Sequence, residues 1–116
     1  MRELNGKTAL VTGASRGIGS AIARSLANAG AYVLVADKLS CEKTVAEIKS
    51  SGGSGREIGC DVGDWKSVKR LFRSIKENEK RLDFAINAAG ILLEAKITEM
   101  QVEDFDHIVA VNLRGS

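Results

Sequence analysis

Short apolar runs alternate along this chain with stretches in which apolar residues recur every three or four positions. The runs Thr8–Thr12, Tyr32–Ala36 and Phe84–Asn87 are nearly continuous apolar segments, and Arg56–Cys60 is a more mixed one. Continuous apolar strands are expected where both faces of a sheet are covered by helices. The other stretches have helical period. After Gly17, the residues Ile18, Ala21, Ile22, Leu26 and Ala29 fall on one face, and Gly30 supplies a stop. Cys41, Thr44, Val45 and Ile48 mark a second helix, which runs out in the glycine-serine stretch 50–55, expected to be a surface loop. Asp64 can cap a third helix with Val68, Leu71, Phe72 and Ile75 as its buried stripe and Trp65 as a packing anchor at its start. A fourth starts near Gln101, with Phe105, Ile108, Val109 and Leu113 inward. Strands and helices alternating at this spacing predict βαβ units: an α/β fold with a doubly wound parallel sheet.

The first apolar run leads directly into Thr12-Gly13-Ala14-Ser15-Arg16-Gly17-Ile18-Gly19, and a helix follows. Glycines at 13, 17 and 19 suit a tight turn in which backbone must approach a pyrophosphate closely. Backbone N–H groups and the positive end of the helix dipole then face the anion. A strand-helix turn with no ligand would use glycines too. Placement between a strand and a helix is what favours the phosphate reading.

Asp37 ends the second strand, 18 positions after Gly19. A carboxylate near this spacing can accept hydrogen bonds from the adenosine ribose hydroxyls, and it repels a 2′-phosphate. That favours NAD over NADP. Two cations pull the other way, since Arg16 inside the loop and Lys38 beside Asp37 could each attract a 2′-phosphate. A solvated strand-end carboxylate is the plainer alternative for Asp37.

Bulk composition narrows the classes without choosing among enzymes. With 116 residues the chain reads as one domain, and its 44% hydrophobic and 28% charged residues are ordinary for a folded globular protein. A net charge of +2 calls for neither nucleic acid nor a membrane surface. Cys41 and Cys60 match no metal-ligand spacing and read as free thiols in a reducing compartment. The opening MRELNGKT has no apolar stretch of signal-peptide length, and no window reaches that of a membrane span. The expected location is cytoplasmic.

The Gly-x-x-x-Gly-x-Gly spacing of residues 13–19 differs from the commoner Gly-x-Gly-x-x-Gly fingerprint. It resembles the short-chain dehydrogenase/reductase family. Three further stretches agree in place: Asp61-Val62 after the third strand, Asn87-Ala88-Ala89-Gly90 at the end of the fourth, and Val111-Asn112-Leu113-Arg114-Gly115. The resemblance spans almost all the chain and implies a Rossmann-like domain over residues 1–116 that binds NAD(P), here as its first four β/α units and incomplete at its C-terminal end. It implies a cofactor site formed by Gly13, Ser15, Arg16, Gly17, Ile18 and Gly19, with Asp37 and Lys38 at the ribose. Asp61 and Val62 would border the adenine, the Asp61 side chain facing its amino group. Asn87, Ala88, Ala89 and Gly90 would line the floor under the nicotinamide-side ribose, although Asn87 could equally tie neighbouring strands together.

Asn112 falls on the apolar stripe of the fourth helix, seven residues after Phe105 and three after Val109. A polar amide there needs partners, and a core asparagine holding a helix bend is one account. The resemblance implies another, a supporting role in a proton relay to a catalytic lysine. The family transfers hydride between nicotinamide and a carbonyl or alcohol, with a tyrosine as general acid or base, a lysine that lowers its pKa and a serine that orients the substrate. Tyrosine, near pKa ~10, needs such help at neutral pH. The pattern is Tyr-x-x-x-Lys. Here the only tyrosine is Tyr32, and four residues on stands Ala36. The expectation is therefore the cofactor-binding half of an oxidoreductase, inactive alone, whose full-length parent acts on a small carbonyl or alcohol substrate as a homo-oligomer. A non-catalytic dinucleotide-binding module and an inactive truncated product are the alternatives.

Other features read as surface. Lys66, Lys69, Arg70, Arg73, Lys76 and Lys80 line one side of the third helix, but Glu77 and Glu79 interrupt them and no stacking aromatics accompany them. His107 is the only histidine, which makes a metal site improbable.

Overall fold

The computed structural model describes residues 3–89, and the expected fourth helix, Gly90, His107 and Asn112 lie outside them. The described chain runs β1 (Thr8–Thr12), α1 (Gly17–Asn28), β2 (Tyr32–Asp37), α2 (Glu42–Ser50), β3 (Ser54–Gly59), α3 (Trp65–Asn78) and β4 (Phe84–Asn87). The strands form one four-stranded sheet in the order β3-β2-β1-β4, and every pairing is parallel. The chain thus steps outward from β1 to β3, then crosses back to lay β4 on the other side of β1. Right-handed crossovers send helices to opposite faces when the direction of travel reverses. The core follows that rule.

Alternation along β1 and β2 divides the core in two. Ala9, Val11, Val33 and Val35 face α1 and α2 and pack with Ala23, Ala27 and Ile48. Leu10, Leu34 and Ala36 point the other way, toward Leu71 and Ile75 of α3. Each large aliphatic side chain buried this way contributes ~1.5–3 kcal/mol. β4 is the exception among the apolar runs. Within the described residues it pairs only with β1, and it is largely exposed, Phe84 by 38%.

Two helices are rotated relative to the sequence expectation. The buried residues of α1 are Gly19, Ser20, Ala23 and Ala27, whereas Ala21 is exposed and Ile18 is 78% exposed. Ile22 and Leu26 flank this stripe, half-buried. Small residues let the helix axis approach the sheet, so they win the central positions over larger apolar neighbours. α3 buries Ser67, Leu71 and Ile75, leaving Phe72 48% and Trp65 68% exposed. Trp65 is therefore no packing anchor. Its ring lies 5.8 Å from Lys69 Nζ, and with Phe72 and Val68 it borders a groove beside Leu10 and Ala85. β3 begins two residues earlier than expected. Ser54 and Gly55 belong to the strand, where a Cβ on Gly55 would lie 2.2 Å from the Val33 carbonyl oxygen. Close backbone approach is a standing reason for glycine inside a strand.

The ends of the helices are closed as the sequence suggests. After α1, the Gly30 amide donates to Ala27 and the Ala31 amide to Leu26; after α2, Gly52 donates to Lys49 and Gly53 to Ile48. Both are paired-bond glycine caps of the Schellman type. The Asp64 side chain accepts from the Lys66 amide at the start of α3, as expected of a cap. At the far end of α3 the equivalent left-handed position is held by Lys80, with φ 63°, whose amide donates to Ile75. A left-handed L-residue costs ~1–2 kcal/mol, part of which glycine returns as unfolded-chain entropy. Lys80→Gly should therefore raise stability by about 0.5–1 kcal/mol in urea unfolding. A destabilised variant would mean that the Lys80 side chain contributes more than its backbone costs.

Polar ties fix the register of the outer strands. Asp83 exchanges two bonds with Thr8, its amide donating to the Thr8 carbonyl and its carboxylate accepting from the Thr8 amide, each at 2.8 Å. Arg81 donates to the same carboxylate, and these partners, Arg81 first, bring the Asp83 pKa down to about 2. Arg56 of β3 forks onto Glu79 at 2.8 and 2.9 Å and reaches Ser74, pinning the end of α3 to the sheet edge.

Candidate functional site

β1 and β4 are neighbours whose connections leave in opposite directions, so a crevice opens beyond their carboxyl ends. In open α/β sheets this switch point is where ligands bind. A cleft of about 540 Å³ occupies it. That is within the usual range of small-molecule sites, ~300–1,000 Å³. Its lining brings together Gly13, Ser15, Arg16, Gly17, Ile18 and Gly19 from the loop and the start of α1. Asp37 and Lys38 enter from the end of β2, Asp61 and Val62 from beyond β3, and Ala88 and Ala89 from beyond β4. Residues from four chain segments, up to 76 positions apart, thus share one wall. Asn87 lies instead on the groove beside Trp65, opposite Thr12 in the β1–β4 register.

The loop is held tightly before any ligand arrives. The Ala14 amide donates to the Ala36 carbonyl at 3.2 Å, and Ala14 is fully buried. The Ser15 amide donates to Asp37 Oδ2 at 3.0 Å. Gly13 has φ 67°, and a Cβ there would lie 2.6 Å from Ala89 backbone. A Cβ on Gly19 would lie 2.0 Å from the Gly13 carbonyl oxygen. Backbone meets backbone at both positions, so a side chain has nowhere to go.

The start of α1 carries the electrostatics. Arg16 occupies its cap position in extended conformation and makes no side-chain cap hydrogen bond, and no acidic residue stands in the first turn. α3 is capped by Asp64, and at α2 the Ser40 hydroxyl accepts from the Glu42 amide at 3.2 Å. The first amides of a helix lack partners within the helix, and together with the dipole they attract an anion. At α1 those amides border the cleft, since Gly17, Ile18 and Gly19 all line it.

Asp37 supplies the opposing charge. Oδ1 accepts from the Leu39 amide and Oδ2 from the Ser15 amide, both at 3.0 Å. Burial pushes its pKa up, but hydrogen bonds from Leu39, Ser15 and Lys38 together outweigh it, and the net shift is downward. The carboxylate is therefore ionised at neutral pH. Asp61 closes a turn by accepting from the Gly63 amide at 2.9 Å, while its own amide donates to Ser67.

Two lining residues, Leu39 and Cys60, were not anticipated from sequence. Leu39 is 55% exposed at the mouth; Ile18, expected both on the apolar stripe of α1 and in the cofactor loop, lines the cleft and is not buried. Ile18 belongs both to the glycine loop pattern and to the first turn of α1, and only the first of these places it on the cleft. Cys60 also lines the cleft, and burial pushes its thiol up, away from the thiolate form. Cys41 is likewise buried and free, pushed up to about 12 by burial and by the nearby Asp37 and Glu57 charges. Neither is an activated nucleophile. Among the described residues no cluster of His, Cys, Asp and Glu could hold a metal, and no helix is long and apolar enough to cross a membrane.

Comparison with known proteins agrees with this geometry. The sequence profile described as short chain dehydrogenase matches residues 7–116. The uncharacterized oxidoreductase YxbG of Bacillus subtilis is 42% identical over 119 residues, covering 100% of this chain and 44% of that protein. Versicolorin reductase stcU of Emericella nidulans is 42% identical over 115 residues, covering 97% of this chain and 44% of its own length. The chain therefore spans a little under half the length of these relatives. Among solved structures, a dehydrogenase/reductase from Sinorhizobium meliloti 1021 superposes with TM-score 0.92 at 40% identity, covering 97% of this chain and 46% of that one. A metagenomic short-chain oxidoreductase in complex with NADP superposes with TM-score 0.94 at 32% identity, covering 97% and 52%. A parallel sheet in the order β3-β2-β1-β4, a glycine loop running into an uncapped helix and a profile match from residue 7 onward converge on one assignment: this chain belongs to the short-chain dehydrogenase family.

Proposed function

We propose that residues 1–116 form the dinucleotide-binding part of an NAD(P)-dependent oxidoreductase, and that the cleft beyond β1 and β4 takes NAD. The observation that carries this reading is the uncapped start of α1 on the cleft, behind a loop whose Gly13 and Gly19 leave no room for a side chain. Those features fit a pyrophosphate: amides to receive its charge and bare backbone to let it approach. The dinucleotide would supply a hydride donor or acceptor for a carbonyl or alcohol substrate of the whole protein.

Each lining segment has a separate task in this reading. The amides at the start of α1 hold the phosphates. Asp37 keeps its charge and accepts from ribose hydroxyls, each oxygen having a second lone pair beyond the one used by Leu39 or Ser15. Asp61 and Val62 border the adenine, one polar and one apolar. Ala88 and Ala89 form the floor toward the nicotinamide, with Asn87 supporting it from the neighbouring groove, and Gly90 and Asn112, outside the described residues, are assigned to the cofactor site and to proton transfer in the full protein by the family resemblance. Arg16 and Lys38 share the cleft with Asp37, so the preference is a contest of charges. Asp37 prevails because its carboxylate is fixed by two amides, whereas lysine and arginine at the rim are long and solvated.

NADH fluorescence titration of the full-length protein tests this. Binding is expected in the ~1 μM–1 mM range usual for enzyme ligands. NADPH should bind about ten-fold more weakly, a difference of ~1.4 kcal/mol. Tighter NADPH binding would overturn the preference, and no binding of either would overturn the site.

A further inference from the structure

Thr44 lies on α2, outside the cleft, yet it touches the glycine loop. Its hydroxyl is 2.8 Å from the Ala14 carbonyl oxygen, 3.4 Å from that of Ser15 and 3.0 Å from Ser20 Oγ. Both side chains are buried, Thr44 at 1% exposure and Ser20 at 7%. A threonine hydroxyl has one proton to give. The shortest contact takes it, so Thr44 donates to Ala14, and Ser20 must then donate to Thr44. A directed chain results: Ser20 in the first turn of α1, Thr44 on α2, and the Ala14 carbonyl in the loop. From residue type and period alone Thr44 is merely one apolar-face position of α2.

The consequence concerns the orientation of two peptide planes. Ala14 is bonded on both sides, its amide to Ala36 and its carbonyl to Thr44. Turning the Ala14 carbonyl away from the cleft turns the following Ser15 amide toward Asp37, because both belong to one peptide plane. Ser15 is in fact bonded to Asp37 Oδ2. Ser20, in turn, anchors the helix turn whose amides border the cleft. Without Thr44 the buried Ala14 carbonyl loses its partner, and the loop gains freedom to rotate it.

We infer that Thr44, relayed by Ser20, is a positioning residue that presets the loop for the phosphates of the dinucleotide. The inference rests on the dinucleotide reading above. It separates phosphate-bearing ligands from those without phosphate. ADP-ribose needs the whole loop; adenosine engages the Asp37 and Asp61 side of the cleft, which meets the loop only through the Ser15 amide.

The experiment compares ADP-ribose and adenosine as competitors of NADH in the full-length protein and its variants. In Thr44→Val, ADP-ribose affinity should fall about ten-fold and adenosine affinity by no more than about two-fold, since the Leu39 amide still holds Asp37. Thr44→Ser keeps the hydroxyl and should restore most of the loss. Ser20→Ala leaves the Thr44–Ala14 bond and should lose two- to three-fold, roughly, which keeps a measurement available if Thr44→Val fails to fold. Equal ADP-ribose affinity in wild type and Thr44→Val overturns the inference, as does a parallel loss of adenosine. Wild-type protein that binds no NADH overturns the dinucleotide reading first, and this inference with it.

Discussion

Replacing Gly19 by alanine is expected to abolish dinucleotide binding, with at least ~100-fold loss of NADH affinity and a stability loss of about 3 kcal/mol. The added Cβ would stand 2.0 Å from the Gly13 carbonyl oxygen and 2.7 Å from its carbon. Those are backbone atoms. No rotamer change relieves the clash, so either α1 shifts away from the loop or the Gly13 peptide turns. Gly13 cannot yield freely, because its own Cα faces the backbone of Ala88 and Ala89. Either movement breaks the alignment of loop and helix amides on which the site depends. Gly17 provides the internal comparison. A Cβ there would meet nothing within 4 Å, and only its φ of 61° opposes a side chain. Gly17→Ala should therefore cost ~1–2 kcal/mol, clearly less than Gly19→Ala. NADH titration and urea unfolding of the two variants together check the claim. Equal effects would show that space at Gly19 is not the limiting factor.

Asp37→Ala should reverse the cofactor preference proposed above. The carboxylate opposes a 2′-phosphate, and Arg16 and Lys38, which line the same cleft, would act unopposed once it is gone. NADH affinity is expected to fall at least ~ten-fold and NADPH to become the tighter ligand. Two backbone tethers go as well, those to Ser15 and Leu39. Both lie near the surface, so the stability loss should be ~1–2 kcal/mol rather than the full value of buried charged bonds. The pH dependence has a definite sign. The folded pKa of Asp37 lies below the ordinary 3.8, so its contribution is complete above 3.8 and is lost as pH falls through the folded value. The wild type should therefore lose stability with acid below 3.8 by more than Asp37→Ala does. A variant that still prefers NADH would place the discrimination elsewhere on the cleft wall.

Much of this was legible in the chain. β1, β2 and β4 stand at the positions their apolar runs indicate, within one residue. Asp64 caps α3, and Gly30 closes α1. The loop from Gly13 to Gly19 announced itself because glycine at fixed spacing between a strand and a helix has few other uses. Local signals of this kind are written in a few neighbouring residues, so they survive reading in one dimension. The exposure of Ile18, Phe72 and Trp65 was not legible, because apolar character does not say how close two elements come. α1 approaches the sheet through Gly19, Ser20, Ala23 and Ala27, and that closeness displaced the larger side chains from the centre of the stripe.

The order of elements, the doubly wound class and the glycine loop are written in the chain, since each depends on periodicity and on neighbouring residues. Which residues meet depends on the packed fold. It brought Asp37 to the Ser15 amide across 22 positions and Thr44 to the Ala14 carbonyl across 30, and it set Ala89 backbone against Gly13. Hydrogen bonds of 3 Å and clashes of 2 Å are decided by the distance between a sheet and its helices, which depends on the sum of all packed side chains.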